Sequence, residues 1–199
     1  MRDPEGVLIE LMEDDPREPV RRGRSAGVPG GAVVRSVTLS VPDLNRSAGT
    51  FEQVLGLEPA AGVTLHVPAH EALWGLEGAQ RLSRLYWARD ILVELAQYTD
   101  PVGKPWPSGY RISDQGLLNV AFWFETKQAL YSAFERCTRA GLRPNSRPVT
   151  LPGVGGVTYV NDADGFSIEL LWITTRARGR LGFEPRATPR LAPLLRAKS

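Results

Sequence analysis

The chain has 199 residues, with 24 Lys and Arg against 22 Asp and Glu, for a formal net charge of +2. That balance is too small to argue for nucleic acid, and 42% hydrophobic with 23% charged residues is the composition of a soluble globular protein. A single cysteine, Cys137, excludes an internal disulfide and a thiolate metal site. No apolar run approaches the roughly 20 residues that span a bilayer, and no signal-like segment precedes the first expected strand. The expected location is the cytoplasm.

The chain opens MRDPEGVLIELMEDDP. Asp3, Glu5 and Gly6 predict a turn, and Val7, Leu8 and Ile9 predict a strand running into Glu10. The same pattern, an apolar strand carrying a carboxylate followed by Leu, returns at ARDILVELAQY with Glu94 and at NDADGFSIELLW with Glu169. A repeated unit is the first explanation. Residues 1–30 are assigned to an N-terminal strand and linker.

From Val33 an alternating strand runs to Pro42, and Asp43 is placed to cap a helix. Leu44, Ala48, Phe51 and Leu55 recur at helical spacing, and Gly56 supplies a left-handed stop. A short strand from Val63 to Val67, a loop through Trp74 and longer strands Arg81 to Ala88 and Ile91 to Tyr98 complete a first module, residues 31–100. The Pro/Gly-rich stretch TDPVGKPWPSGYR marks a linker at 101–115.

The plan then repeats over residues 116–174. LLNVAFWF predicts a strand, Thr126 caps a helix with Leu130, Ala133, Phe134 and Cys137 on its apolar face, and Gly141-Leu142-Arg143-Pro144 echoes Gly56-Leu57-Glu58-Pro59. Short strands around Val149 and from Val157 to Val160 lead to the last, Phe166 to Ile173. Residues 175–199, carrying Arg176, Arg178, Arg180, Arg186, Arg190 and Arg196, form an Arg/Pro-rich extension whose ordinary role is a solvated tail. Each half is β-α-β-β-β and too short to bury both faces of its own sheet, so the halves are expected to pair in an α+β fold.

Five stretches in this order, SVTLSVPDL, FEQVLGL, LVELAQY, NVAFWF and DADGFSIEL, resemble the vicinal-oxygen-chelate superfamily. That superfamily includes glyoxalase I, methylmalonyl-CoA epimerase, extradiol dioxygenases and bleomycin-resistance proteins. The resemblance covers about Val33 to Ile173 and implies two paired βαβββ modules whose curled sheets form a cup-shaped cavity. It also makes MRDPEGVLIELME look like the last strand of a preceding module, so the chain is expected to be part of a longer tandem protein or a homodimer. The other reading of residues 1–13 is a native N-terminal strand on a sheet edge.

In metal-using members the resemblance implies ligands at positions that fall here on Ser36, Glu94, Asn119 and Glu169. Ser and Asn are poor partners for a transition metal where imidazole is the strong one, so a tight iron or zinc site is not expected. A hard divalent ion held weakly by Glu94, Glu169 and Asn119 is the metal reading left open; no other cofactor is implied. His66 and His70 fall near the expected second strand, away from these positions, where a plain surface role is the ordinary reading.

Alternation places Leu92, Glu94 and Ala96 on one strand face, and Ser167, Glu169 and Leu171 on another. If both faces line one cup, burial and mutual repulsion raise a carboxylate pKa and make Glu94 and Glu169 an acid/base pair. The competing reading is that each Glu only satisfies neighbouring strands. Ser36 and Asn119 are candidate substrate-binding residues, and Trp123, Trp87 (or Tyr86) and Trp172 are candidate walls, with core packing the default for any Trp.

Two functions follow. The first is an enzyme acting on a small, largely apolar organic molecule by carboxylate acid/base chemistry, of isomerase or lyase type. The second is a metal-free small-molecule binding or sequestering protein, as bleomycin-resistance proteins are. A ring-opening dioxygenase ranks third, because its iron site needs histidines where this chain has Ser36 and Asn119. The expected partner is a small molecule, with no nucleic acid and no membrane.

Overall fold

The two sheets of this protein are arranged by where the apolar faces of their strands go. The computed structural model describes residues 34–178 except 90, 112, 115 and 118, together with residues 1, 4, 7–12 and 16. Strand β1 (Ser36–Ser40) leads into helix α1 (Leu44–Gly49), followed by a π-helical turn at Thr50–Val54, β2 (Glu58–Pro59), a 3-10 segment at Pro68–Trp74, β3 (Gln80–Ala88) and β4 (Ile91–Asp100). The second half comprises β5 (Asn119–Phe124), α2 (Lys127–Arg139), β6 (Arg143–Pro144), β7 (Val149–Leu151), β8 (Gly155–Asn161), β9 (Ser167–Ile173) and a short helix α3 (Thr175–Arg178). The sheets run β1-β4-β3-β2 and β5-β9-β8-β6, with β7 also on β8. In each, the first strand pairs in parallel with the last, and the remaining pairings are antiparallel.

The repeat is visible in the register. Ser36 lies opposite Leu92 with Thr38 opposite Glu94, while Asn119 lies opposite Ser167 with Ala121 opposite Glu169. Ser36 and Asn119 therefore hold equivalent places. Both G-L-x-P turns end a helix with glycine at positive φ (Gly56 at 77°, Gly141 at 87°) and feed the two-residue strands β2 and β6. Asp43 and Thr126 cap their helices, accepting from the amides of Arg46 and Ala129.

Leu39, Tyr86, Val93 and Leu95 from one sheet and Val120, Val160, Ile168 and Leu170 from the other enter one apolar core with the helical residues. Phe51 meets Phe122 edge-on with ring centres 6.0 Å apart. Arg136 donates from Nε to the Val54 carbonyl at 3.0 Å, giving an acceptor at the end of the π-helical turn a partner from the other half. Arg46 grips Asp164 with one nitrogen 2.6 and 2.7 Å from its two oxygens. Cys137 is fully buried in this core, and burial pushes its thiol up to about 11. No helix among the described residues is long and apolar enough to cross a membrane.

Three expectations change. The expected helix from Leu44 to Leu55 is α-helical only to Gly49 and then widens by one residue per turn, with the Leu55 amide bonding the Thr50 carbonyl; a wide turn follows a glycine with no side chain to hold the tighter pitch. Val63 to Val67 pairs with no strand, because Pro68 has no amide to donate and opens the 3-10 segment directly. Residues 7–12 form no strand beyond an isolated bridge at Leu8; the Ile9 amide bonds the Met1 carbonyl instead. Most of the expected turn at Asp3 to Gly6, the part of the expected N-terminal linker from residue 17 to 30, and the extension beyond residue 178 lie outside the described residues.

Two glycines test the packing. A Cβ at Gly155 would run into the Trp172 carbonyl and the Ile173 backbone on β9, whereas one at Gly49 meets nothing within 4 Å. Gly155→Ala is expected to lower the melting temperature steeply, costing about 3 kcal/mol or more because backbone must move. Gly49→Ala, within a helix, should be neutral or stabilising by about 0.5–1 kcal/mol. Thermal unfolding of the two variants beside the parent checks both.

Candidate active site

On β4, Val93 and Leu95 point into the core, so Leu92, Glu94 and Ala96 occupy the opposite face. Glu94 is 1% exposed there. Its Oε2 accepts from the Thr38 hydroxyl at 2.9 Å and lies 2.9 Å from His66 Nδ1; its Oε1 accepts from Arg81 Nη1 at 3.1 Å. Arg81, on β3, also brings Nε to 2.6 Å from Glu71 Oε1, an ion pair without hydrogen-bond alignment. Glu71, buried on the 3-10 segment, accepts from the Tyr98 hydroxyl at 2.8 Å. The Arg81 guanidinium also lies 5.6 Å from the centre of the Trp74 ring.

His66 is the residue that sequence reasoning missed. Its side chain is 2% exposed, far from the plain surface role expected of it. Nδ1 faces Glu94 and Nε2 lies 2.8 Å from Glu10 Oε2, so one imidazole stands between two carboxylates. Trp74 meets the ring edge-on at 4.9 Å. Burial works against a charge on His66, but Glu94 and Glu10 outweigh it and hold its pKa above the ordinary value. For Glu94 burial works the other way, and His66, Arg81 and Thr38 overcome it, so its pKa falls below the ordinary carboxylate value. At Glu94 the direction is therefore opposite to the rise expected of a member of an acid/base pair, because its partners favour the ionised form.

The second module builds a different cluster. Val120, Phe122 and Phe124 turn to the core, which leaves Asn119, Ala121 and Trp123 on the other face. Glu169 accepts from Asn119 Nδ2 at 2.7 Å and neighbours Tyr159, whose hydroxyl burial and Glu169 together hold above its ordinary value. Trp123 lies under two guanidinium groups, Arg178 at 4.6 Å and Arg89 at 5.9 Å from the ring centre. Its Nε1 and the Ser167 hydroxyl are buried without a hydrogen-bond partner.

The structure thus brings Glu169 and Asn119 together, and Glu94 with Thr38, His66 and Arg81. Among the described residues no hydrogen bond or ion pair joins Glu94 to Glu169. Trp87, opposite Leu92, and Ser36 share the Glu94 face. Trp172 packs against the helical core, and Tyr86 is buried there with its hydroxyl on Glu52, so neither walls the site.

Residues 34–170 match the model of the Glyoxalase/Bleomycin resistance protein/Dioxygenase superfamily. The chain belongs to this superfamily. Its fold is similar to that of a glyoxalase-family protein from Bacillus cereus (16% identity, TM-score 0.61), covering 74% of this chain and 99% of that one. A glyoxalase/bleomycin resistance/dioxygenase domain from Frankia matches at 19% identity and TM-score 0.52, covering 72% and 98%. A fosfomycin resistance protein from Listeria monocytogenes matches at 14% identity and TM-score 0.50, covering 74% and 98%. At these identities the likeness shows the fold alone. No curated protein matches the chain by sequence.

The donor set does not fit the metal that some superfamily members use. Both oxygens of Glu94 are committed to cationic or hydroxyl partners, and Ser36 and Asn119 stand where stronger ligands would be needed. Asn119 donates its amide to Glu169, and no group of three or more His, Cys, Asp or Glu among the described residues is placed to hold an ion.

Arg81, 9% exposed, meets both Glu71 and Glu94. Arg81→Ala should destabilise the fold by about 3–5 kcal/mol, since it strands two buried carboxylates. The pH profile carries a second signature. With its folded pKa raised, His66 contributes stability that is fully present below about pH 6.5 and is lost as pH rises through the folded value. Glu94, with its pKa lowered, contributes stability above the ordinary carboxylate range that is lost as acid brings the pH down through its folded value. Melting temperatures across pH should therefore decline on the alkaline side for the parent and be flatter there for His66→Gln.

Proposed function

We propose that this chain is a proton-transfer enzyme of isomerase or lyase type, in which His66 delivers a proton to an oxygen of a small organic substrate. The observation that supports it is the buried imidazole held between Glu94 and Glu10. Glu94 fixes the ring through Nδ1 and favours its charged form, which leaves Nε2–H as the donating atom. A substrate oxygen that gains negative charge as a neighbouring bond breaks, or as an enol forms with the carbon-bound proton passing to solvent water, would sit where the Glu10 carboxylate now lies. Arg81 and Thr38 hold Glu94 rather than the substrate and act as positioning residues. Trp74, edge-on to His66, offers an apolar wall for the body of the molecule.

The sequestering reading is favoured by a different observation, the unpartnered Trp123 Nε1 beneath Arg178 on the second module. A flat ligand with an acceptor atom would satisfy that donor without any chemistry.

Deuterium exchange at carbon next to the carbonyl of small ketones and aldehydes, followed by NMR in heavy water, tests the first reading. The parent should accelerate exchange for a subset of the panel. His66→Gln and Glu94→Gln should each lower the rate by about 10²–10⁴-fold, the usual contribution of a general acid. A loss of that size in Glu169→Gln with none in His66→Gln would return the chemistry to the second module. Binding of aromatic compounds with no exchange in any variant would favour sequestration.

A further inference from the structure

Glu10 reaches His66 from a segment at the protein surface. Its carboxylate is 28% exposed while the imidazole beneath is 2% exposed. Val7, Leu8, Ile9, Leu11 and Met12, on the same segment, are 40–71% exposed, so none of them is part of the buried core. Residues 7–12 belong to neither sheet, and the Ile9 amide and carbonyl bond to Met1 within the segment itself.

The partners inside the site are otherwise matched. Arg81 stands against Glu71 and Glu94, Tyr98 donates to Glu71, and Thr38 donates to Glu94. Without Glu10, the charged His66 would present an N–H with no acceptor in a nearly dry site, which is costly. Another carboxylate restores both the charge and the hydrogen bond; a neutral amide oxygen restores only the second.

We propose that Glu10 occupies the subsite of an organic carboxylate, and that such a ligand displaces residues 7–12 when it binds at His66 Nε2. This rests on the reading of His66 Nε2 as the atom that meets the substrate oxygen, and it adds the ligand's class and a built-in competitor. Trp74 on one side and the open edge left by the departing segment suit a small aromatic or branched apolar acid.

Isothermal titration of the full chain with phenylacetate, and with phenylacetamide as the neutral analogue of the same shape, tests the proposal. Removing an internal competitor raises the fraction of open sites, so Glu10→Ala should bind phenylacetate about tenfold or more tightly than the parent does. Phenylacetamide should bind much more weakly than phenylacetate to Glu10→Ala, and Glu10→Gln, which keeps the hydrogen bond without the charge, should fall between the parent and Glu10→Ala. Because Glu10 is on the surface segment, the Gln variant also serves should the Ala variant fold poorly. Equal phenylacetate affinity in parent and variants, binding by none of them, or equal affinity for acid and amide would each overturn the plug. A plug that behaves as expected in a chain that catalyses no exchange sinks only the proton-delivery reading. Normal exchange with no effect of Glu10 on binding sinks only the plug.

Discussion

A guanidinium set between two buried carboxylates governs the first module. Glu71 and Glu94 come from different elements, the 3-10 segment and β4, and a buried carboxylate is costly without a partner. Arg81 on β3 meets both, which fixes the 3-10 segment over the sheet and leaves one oxygen of Glu94 free to orient His66. The long unpaired run from β2 to Trp74 has a place because its polar groups find partners in this network, Leu65 and the His66 side chain being buried beside it. A site of this kind adds little net stability against an apolar core of the same volume, but it is unforgiving of any missing member.

The two modules share a backbone plan and differ in chemistry. Where the first has Thr38 beside Glu94, the second has Ala121 beside Glu169, and the imidazole and guanidinium of the first have no described counterparts around Asn119, Glu169 and Tyr159. Glu169 is half-buried, which lets solvent share its charge. Equivalent strand positions thus carry a rigid ionic lattice on one side and an adaptable polar surface on the other. Fold likeness across the superfamily predicts neither.

Much of the fold was legible because its signals are local. The capping Asp43 and Thr126, the positive-φ stops at Gly56 and Gly141, and the two-residue alternation of β4 and β9 each act over a few residues, and the repeat doubled every one of them. The site was legible only in part. Glu94 could be placed on the correct face by parity, yet its partners His66 and Arg81 reach it from 28 and 13 residues away along the chain. Nothing in the run LHVPAHEALW distinguishes a histidine aimed inward from one aimed at solvent. The one available hint was that a carboxylate on a buried strand requires a cation. Trp172 failed for a simpler reason: its position on β9 has the same parity as Ile168 and Leu170, which place it on the core side.

The pairing of first with last strand in each sheet has a consequence for how the chain can be made. Among the described residues β1 pairs only with β4, and β5 only with β9. On a ribosome, β1 waits for nearly all of its module to emerge before its amides can enter a ladder, and β5 waits again. Each closure spans a long loop, the kind of contact that slows folding. The core that joins the halves, through Phe51, Phe122 and Arg136, is completed later still. A nascent chain stopped before β9 would hold a finished first sheet with half of its helix-side cover missing, an apolar surface open to chaperones or to other chains.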